Sequence, residues 1–142
     1  MRQIVYVRDV MSSNPVCVDE QEHLSDAYEV MENRHIMHFP VMRDGRLVGM
    51  LSERHLRDAM PSVLTIKDPA ARQKSLALTR VGQVYQALED SVQPTTRVAE
   101  VIFKMRNLRI GALPVVDGGK VVGIVTSGDL ISLLEKMLDG KV

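Results

Sequence analysis

The chain has no tryptophan, a single cysteine, and aromatic residues at only 4% of its 142 positions. One cysteine excludes an intrachain disulfide. Scarce aromatic rings argue against the stacking platforms that hold single-stranded nucleic acid. Net charge is absent too, because 18 Lys and Arg residues balance 18 Asp and Glu. With no basic excess or stripe, nucleic acid is not an expected partner. No apolar run reaches the roughly 18 residues of a membrane span. The start, from Met1 to Asp9, lacks the apolar core of a signal peptide. The expectation is a soluble, cytoplasmic chain with no membrane partner.

Catalytic signatures are missing as well. There is no Walker loop, G-x-G-x-x-G, G-x-S-x-G, C-x-x-C or H-E-x-x-H. His23, His35, His38 and His55 form no tight ligand set with Cys17 or a carboxylate. Neither an enzyme nor a metal site is expected, and no cofactor is required.

What the sequence does have is itself twice. An offset of 74 positions superposes residues 7–56 on 81–130 without a gap: Val10 falls on Val84, Met31 on Met105, Asn33 on Asn107, Pro40 on Pro114 and Gly49 on Gly123. The period is longer than that of solenoid repeats, so this is a duplicated domain. Each copy is small for burying its apolar faces alone, so the two are expected to pack around a pseudo-twofold axis. The boundaries read as repeat 1 over 7–60, a linker over 61–80 and repeat 2 over 81–138.

Within each copy the hydrophobic period changes in a fixed order. Val16-Cys17-Val18 reads as a short strand with Cys17 packed inside. Leu24, Ala27, Tyr28 and Met31 form one helical face, repeated by Val98, Val101, Ile102 and Met105. Phe39 to Met42 and Leu47 to Leu51 read as strands around an Asp44-Gly45 turn, repeated around Gly118-Gly119. A closing helix carries Leu56, Ala59 and Met60, or Leu130, Leu133, Leu134 and Met137. The crossover makes one strand pair parallel and the hairpin makes the next antiparallel. A short helical segment precedes each unit, with Val7, Val10 and Met11, or Val81, Val84, Tyr85 and Leu88. The linker holds Pro61, Lys67-Asp68-Pro69 and a helical stretch over Ala70-Ala71-Arg72-Gln73-Lys74.

Val10-Met11, then Phe39-Pro40-Val41, then Leu47-Val48-Gly49-Met50-Leu51-Ser52 resemble the cystathionine-β-synthase-like (CBS) domain. Leu113-Pro114-Val115-Val116 with Val122-Gly123-Ile124-Val125-Thr126-Ser127-Gly128-Asp129-Leu130 resembles it more closely still, and the likeness covers nearly the whole chain. It implies an α/β (α+β) fold of two β-α-β-β-α CBS repeats, with small mixed sheets flanked by helices, as in free-standing tandem pairs called Bateman modules. It also implies two clefts between the repeats for an adenosine-containing ligand: AMP, ADP, ATP or S-adenosylmethionine. A homodimer and a regulated partner protein are further implications.

The candidate site centres on Thr126, Ser127, Gly128 and Asp129 at a strand-to-helix junction. A helix start offers free N–H groups and a positive dipole end to phosphate. A carboxylate can accept hydrogen bonds from both ribose hydroxyls. By resemblance, Asp129 matches the ribose-binding aspartate and Thr126 the phosphate-side threonine. Thr126-x-x-Asp129 is equally a capping box serving only the helix. Ile110-Gly111-Ala112-Leu113-Pro114 matches the base pocket, with Gly111, Ala112 and Pro114 at the ligand. Thr95 and Thr96 add hydroxyls or cap the helix near Arg97.

The first copy departs from this pattern, with Ser52-Glu53-Arg54-His55 at the junction and Met37-His38 in the base segment. Imidazole cannot chelate a diol as a carboxylate does. Arg54, His55 and Arg57 therefore suggest an anion site or solvated helix residues, while Ser52 stands at the junction position and the bulkier His38 at the base-pocket position of this first cleft. One strong nucleotide site is expected, not two. The leading reading is a regulatory ligand sensor, and the alternative is a ligand-free dimerisation or scaffolding module.

Overall fold

The computed structural model describes residues 3–60, 66–88 and 90–140. The chain runs through α1 (Val7–Val10), β1 (Ser12–Ser13), β2 (Val18–Asp19), α2 (Leu24–Arg34), β3 (His38–Arg43), β4 (Arg46–Ser52) and α3 (Glu53–Ala59). It continues through α4 (Pro69–Leu78), a 3-10 turn (Val81–Gln83), β5 (Gln86–Ala87), α5 (Val98–Leu108), β6 (Ala112–Asp117), β7 (Lys120–Thr126) and α6 (Ser127–Leu138). This is a mixed α and β fold, with two small sheets flanked by helices.

Packing divides the chain into two compact units whose limits are not those of the repeat. One is Val16–Glu89, and the other joins Met1–Pro15 to Asp90–Val142. Each sheet is completed by a short strand from the segment that precedes the opposite copy. In the first unit the order is β2-β3-β4-β5. There β2 runs parallel to β3 with Val18 opposite Val41, while β4 is antiparallel to both β3 and β5. In the second unit β1 pairs antiparallel with β7, and β7 with β6. A parallel bridge from Val92 to Val115 repeats the crossover.

The hairpin turns form as their residues dictate. Asp44 and Gly45 have φ of 50° and 77°, and Gly118 and Gly119 have 58° and 79°. Two positive φ values in succession match the right-handed twist of the strands they join. In the first unit Leu24, Ala27 and Met31 of α2 pack on Phe39, Val41, Leu51 and Leu56. Each of these side chains except the smaller Ala27 contributes about 1.5–3 kcal/mol by leaving water. Both helices of this type, α2 and α5, end on a left-handed residue, His35 and Arg109, each with φ 54°.

Several expectations need correction. The strand at Val16-Cys17-Val18 shifts to Val18–Asp19, and Cys17 is exposed, not packed inside. Ala59 and Leu134 are exposed, so the closing helices bury less than their periodicity suggests. Within the linker the helix extends over Pro69–Leu78, with the Asp68 side chain capping Ala70 N–H at 3.1 Å. Pro61 lies outside the described residues.

Candidate ligand-binding site

The β6–β7 register sets Ala112 opposite Thr126, and the β3–β4 register sets His38 opposite Ser52. Each hairpin therefore delivers its junction residue to the same place, where a helix begins at once. In the second copy Thr126 N–H donates to Asp129 Oδ2 at 2.8 Å, and Asp129 N–H donates to Thr126 Oγ1 at 3.3 Å. This reciprocal pair satisfies two of the free donors at the start of α6. Ser127 N–H donates to the Gly111 carbonyl at 2.9 Å, which pins the base-pocket segment to the same helix start. The capping role is thus realised, and it occupies only one carboxylate oxygen. Among the described residues, Asp129 Oδ1 accepts no hydrogen bond.

That oxygen belongs to a residue on the wall of a cavity of about 520 Å³ within the second unit. The stretch leading into α1 contributes Gln3, Ile4, Val5, Asp9 and Val10, and α6 contributes Asp129, Ser132, Leu133 and Lys136. The α1 segment is tied in place by Val7 N–H to the Thr96 carbonyl and Val98 N–H to the Val5 carbonyl, at 2.8 and 2.9 Å. Asp9 Oδ2 accepts from Tyr6 N–H at 2.9 Å, so this carboxylate also has one oxygen committed to a helix start.

Of the residues expected at a ligand, Asp129 alone lines this cavity. Thr126, Ser127 and Gly111 sit at its helix junction, while Ala112 and Pro114 are buried in β6. Gly111 is not sterically required, since an added Cβ would meet Ser127 Oγ at an ordinary 3.6 Å. Thr96 does not cap α5, whose N-cap is Arg97 without a side-chain bond. Instead Thr96 Oγ1 accepts from Gln93 N–H at 2.9 Å and closes the preceding turn. Sequence reasoning missed Ser132, Leu133 and Lys136. Their spacing from Asp129, at three, four and seven residues, is a helical face that was there to be read. The α1 residues were not signalled, because they arrive from the far end of the chain.

The first copy keeps the geometry and inverts its chemistry. His55 N–H donates to Ser52 Oγ at 3.2 Å, and Ser52 N–H donates to His55 Nδ1 at 3.0 Å. The imidazole takes the capping place of the Asp129 carboxylate. Because Nδ1 accepts from an amide, the ring hydrogen sits on Nε2. The outward atom of His55 is then a donor, whereas the outward atom of Asp129 is an acceptor. Arg54 is 84% exposed at its side chain and lies 4.0 Å from Asp58, and Arg57 lies 3.6 Å from Glu53. Both arginines make i,i+4 pairs along α3, as solvated helix residues do. His38 opens β3, half-buried. A separate cavity of about 410 Å³ in this unit lies among Tyr28, Met31, Ile36, Met37, Leu56 and Met60, and it reaches the start of α3 through Glu53 and Arg57, while Ser52, Arg54 and His55 do not line it.

Among the described residues no cluster of His, Cys, Asp and Glu could hold a metal, and no helix is long and apolar enough to cross a membrane.

The CBS domain model matches residues 7–62 and 89–136. A CBS domain-containing protein of Dictyostelium discoideum is 30% identical over 137 residues, covering 95% of this chain and 94% of its own length. A homoserine O-acetyltransferase of Methanosphaera stadtmanae is 28% identical over 132 residues, but the chain spans only 24% of that enzyme. Among solved structures, the CBS domain pair of protein MJ0100, in complex with 5′-methylthioadenosine and S-adenosyl-L-methionine, superposes with a TM-score of 0.77 at 25% identity, covering 95% of this chain and 99% of that one. The two matched segments, the duplicated hairpins and the shared architecture have one source: this chain is a tandem pair of CBS domains.

Proposed function

We propose that the chain is a regulatory sensor that binds an adenosine-containing ligand at the Asp129 cavity and passes its occupancy to a partner protein. One observation carries this reading: Asp129 has a carboxylate oxygen left over from its capping duty and lies on the wall of a cavity of about 520 Å³. That volume falls within the range of small-molecule sites. An ionised carboxylate accepts hydrogen bonds only, which suits the two donating hydroxyls of a ribose. The adenosyl ligands carried by the MJ0100 domain pair support the choice of ligand class. Occupancy can shift the partner only as far as the ligand's affinities for the two states differ. The module acts by binding and not by turnover.

The junction at His55 presents a donor where a diol needs an acceptor, so one nucleotide binds per chain. Calorimetric titration with AMP, ADP, ATP and S-adenosylmethionine tests both points. A stoichiometry near one is expected for whichever ligand binds. Asp129→Ala abolishes binding, and Asp129→Asn, which keeps an oxygen for the cap, weakens it strongly. No binding by any of the four, or binding indifferent to both substitutions, overturns the assignment.

A second reading, a ligand-free dimerisation or scaffolding module, is favoured by the exposed apolar side chains of α5 and α6. The two readings separate on whether self-association survives when Asp129 is replaced and nucleotide is absent.

A further inference from the structure

We infer that Lys136 selects the ligand of the Asp129 cavity by pairing with an anionic group on the arm beyond the ribose; this rests on the adenosyl reading above. The cavity wall supplied by α6 is one helical face, with Asp129, then Ser132 and Leu133, then Lys136. Seven residues rise about 10 Å along the axis. Helical side chains lean back over the turn N-terminal to their own Cα, which for Lys136 is the direction of Ser132 and Asp129. That direction would bring the ammonium towards the arm of a ligand whose ribose is held at Asp129, on the same cavity wall.

The charges on the wall are unevenly placed. Asp9 and Asp129 are the acidic groups and Lys136 the basic one. Asp9 has an oxygen engaged by Tyr6 N–H, and Asp129 one engaged by Thr126 N–H. Lys136 has no ion-pair partner among the described residues, although Lys104 in the same unit is held by both oxygens of Asp90 at 2.9–3.0 Å. A neutral arm leaves that ammonium unanswered, whereas a phosphate or carboxylate accepts a charge-assisted hydrogen bond from it. Two sources share this chemistry: the 5′-phosphate of a nucleotide and the amino-acid carboxylate of S-adenosylmethionine.

Calorimetry on the full chain separates them. Adenosine and 5′-methylthioadenosine serve as ligands without the anion, and AMP and S-adenosylmethionine as ligands with it. Lys136→Met is expected to weaken the two ligands that carry a phosphate or carboxylate about five- to tenfold, with the loss shrinking at high salt, and to leave the two without one unchanged. Lys136→Arg retains the preference, and whichever of AMP and S-adenosylmethionine binds tighter to wild type identifies the source. Lys136 is exposed, so thermal melting of each variant is expected to match wild type. Equal weakening of all four ligands, or no change with any while Asp129→Asn still weakens binding, overturns the role of Lys136 and leaves the site standing. Absence of binding to wild type overturns the adenosyl reading itself.

Discussion

Asp129 commits one oxygen to the start of α6 and leaves the other without a hydrogen bond among the described residues, a division that a capping motif in the sequence cannot display. His55 takes the same capping place with Nδ1 and, in doing so, leaves the ring hydrogen on Nε2. The duplicated fold is therefore lopsided through a single acceptor-to-donor exchange. Cys17 shows the same dependence on surroundings. Its local pattern, between two valines, suggested an inward position, yet the strand begins one residue later and the side chain is exposed. Partial burial of the thiol pushes its pKa above the ordinary value. The thiolate is the reactive form, so a raised pKa means less of it at neutral pH. Alkylation of Cys17 by iodoacetamide is expected to be slower than that of a small free thiol at pH 7, with the difference closing as pH rises. A rate at or above that of the free thiol at neutral pH would contradict the effect of burial.

At the scale of elements, the two glycines related by the repeat mark where a short strand crosses a long one. Gly49 lies opposite Ala87 of β5, and a Cβ there would fall on the Gln86 carbonyl and the Tyr85 ring. Gly123 lies opposite Ser13 of β1, where the nearest atoms are Met11 Sδ at 2.8 Å and the Ser12 carbonyl at 2.9 Å. Both sites meet a carbonyl fixed in a ladder, but the Gln86 carbonyl lies far inside contact distance of the added Cβ and must be displaced. The Ser12 carbonyl at 2.9 Å needs to give only a few tenths of an ångström, and the Met11 thioether can swing aside. Gly49→Ala is therefore expected to cost about 2–3 kcal/mol of stability and Gly123→Ala about half as much. Urea unfolding measures both, and equal small losses would mean that β5 yields as readily as Met11. The hairpins and the faces of α2 and α5 were legible in sequence because their signals are local: a pair of turn residues, or a period of 3.6. The exchanged strands β1 and β5 were not legible. Two residues have no period, and their partners lie in the other copy of the repeat. The cavity was half legible for the same reason: α6 supplies a readable face, but the α1 segment opposite it comes from the start of the chain.

At the scale of the whole molecule, the uneven distribution of apolar surface bears on self-association. Of the ten large apolar side chains exposed among the described residues, eight belong to the unit that joins Met1–Pro15 to Asp90–Val142. Leu130, Leu133, Leu134 and Met137 of α6 were expected to close the fold, but Leu130 and Leu133 are only half-buried and Leu134 and Met137 are exposed. Ile131 is 65% exposed and Leu134 54%, and Phe103 on α5 is 64% exposed. An amphipathic helix whose apolar stripe stays in water is unusual for an isolated chain and normal for one that associates. A twofold contact uses the same patch on both copies, so a stripe on one unit suffices. If the chain forms a homodimer, as the family resemblance implies, its contact is expected on α5 and α6, with α2 and α3 of the other unit outside it. Ile131→Glu combined with Leu134→Glu is expected to yield a monomer by light scattering, with thermal stability little changed when dilute wild type is the reference. Charge at the exposed Arg54 and Asp58 of α3, reversed together, leaves the dimer intact. A dimer that persists through the first pair of substitutions and dissociates with the second would move the interface to the opposite unit. That result would leave the stripe on α6 for the regulated partner.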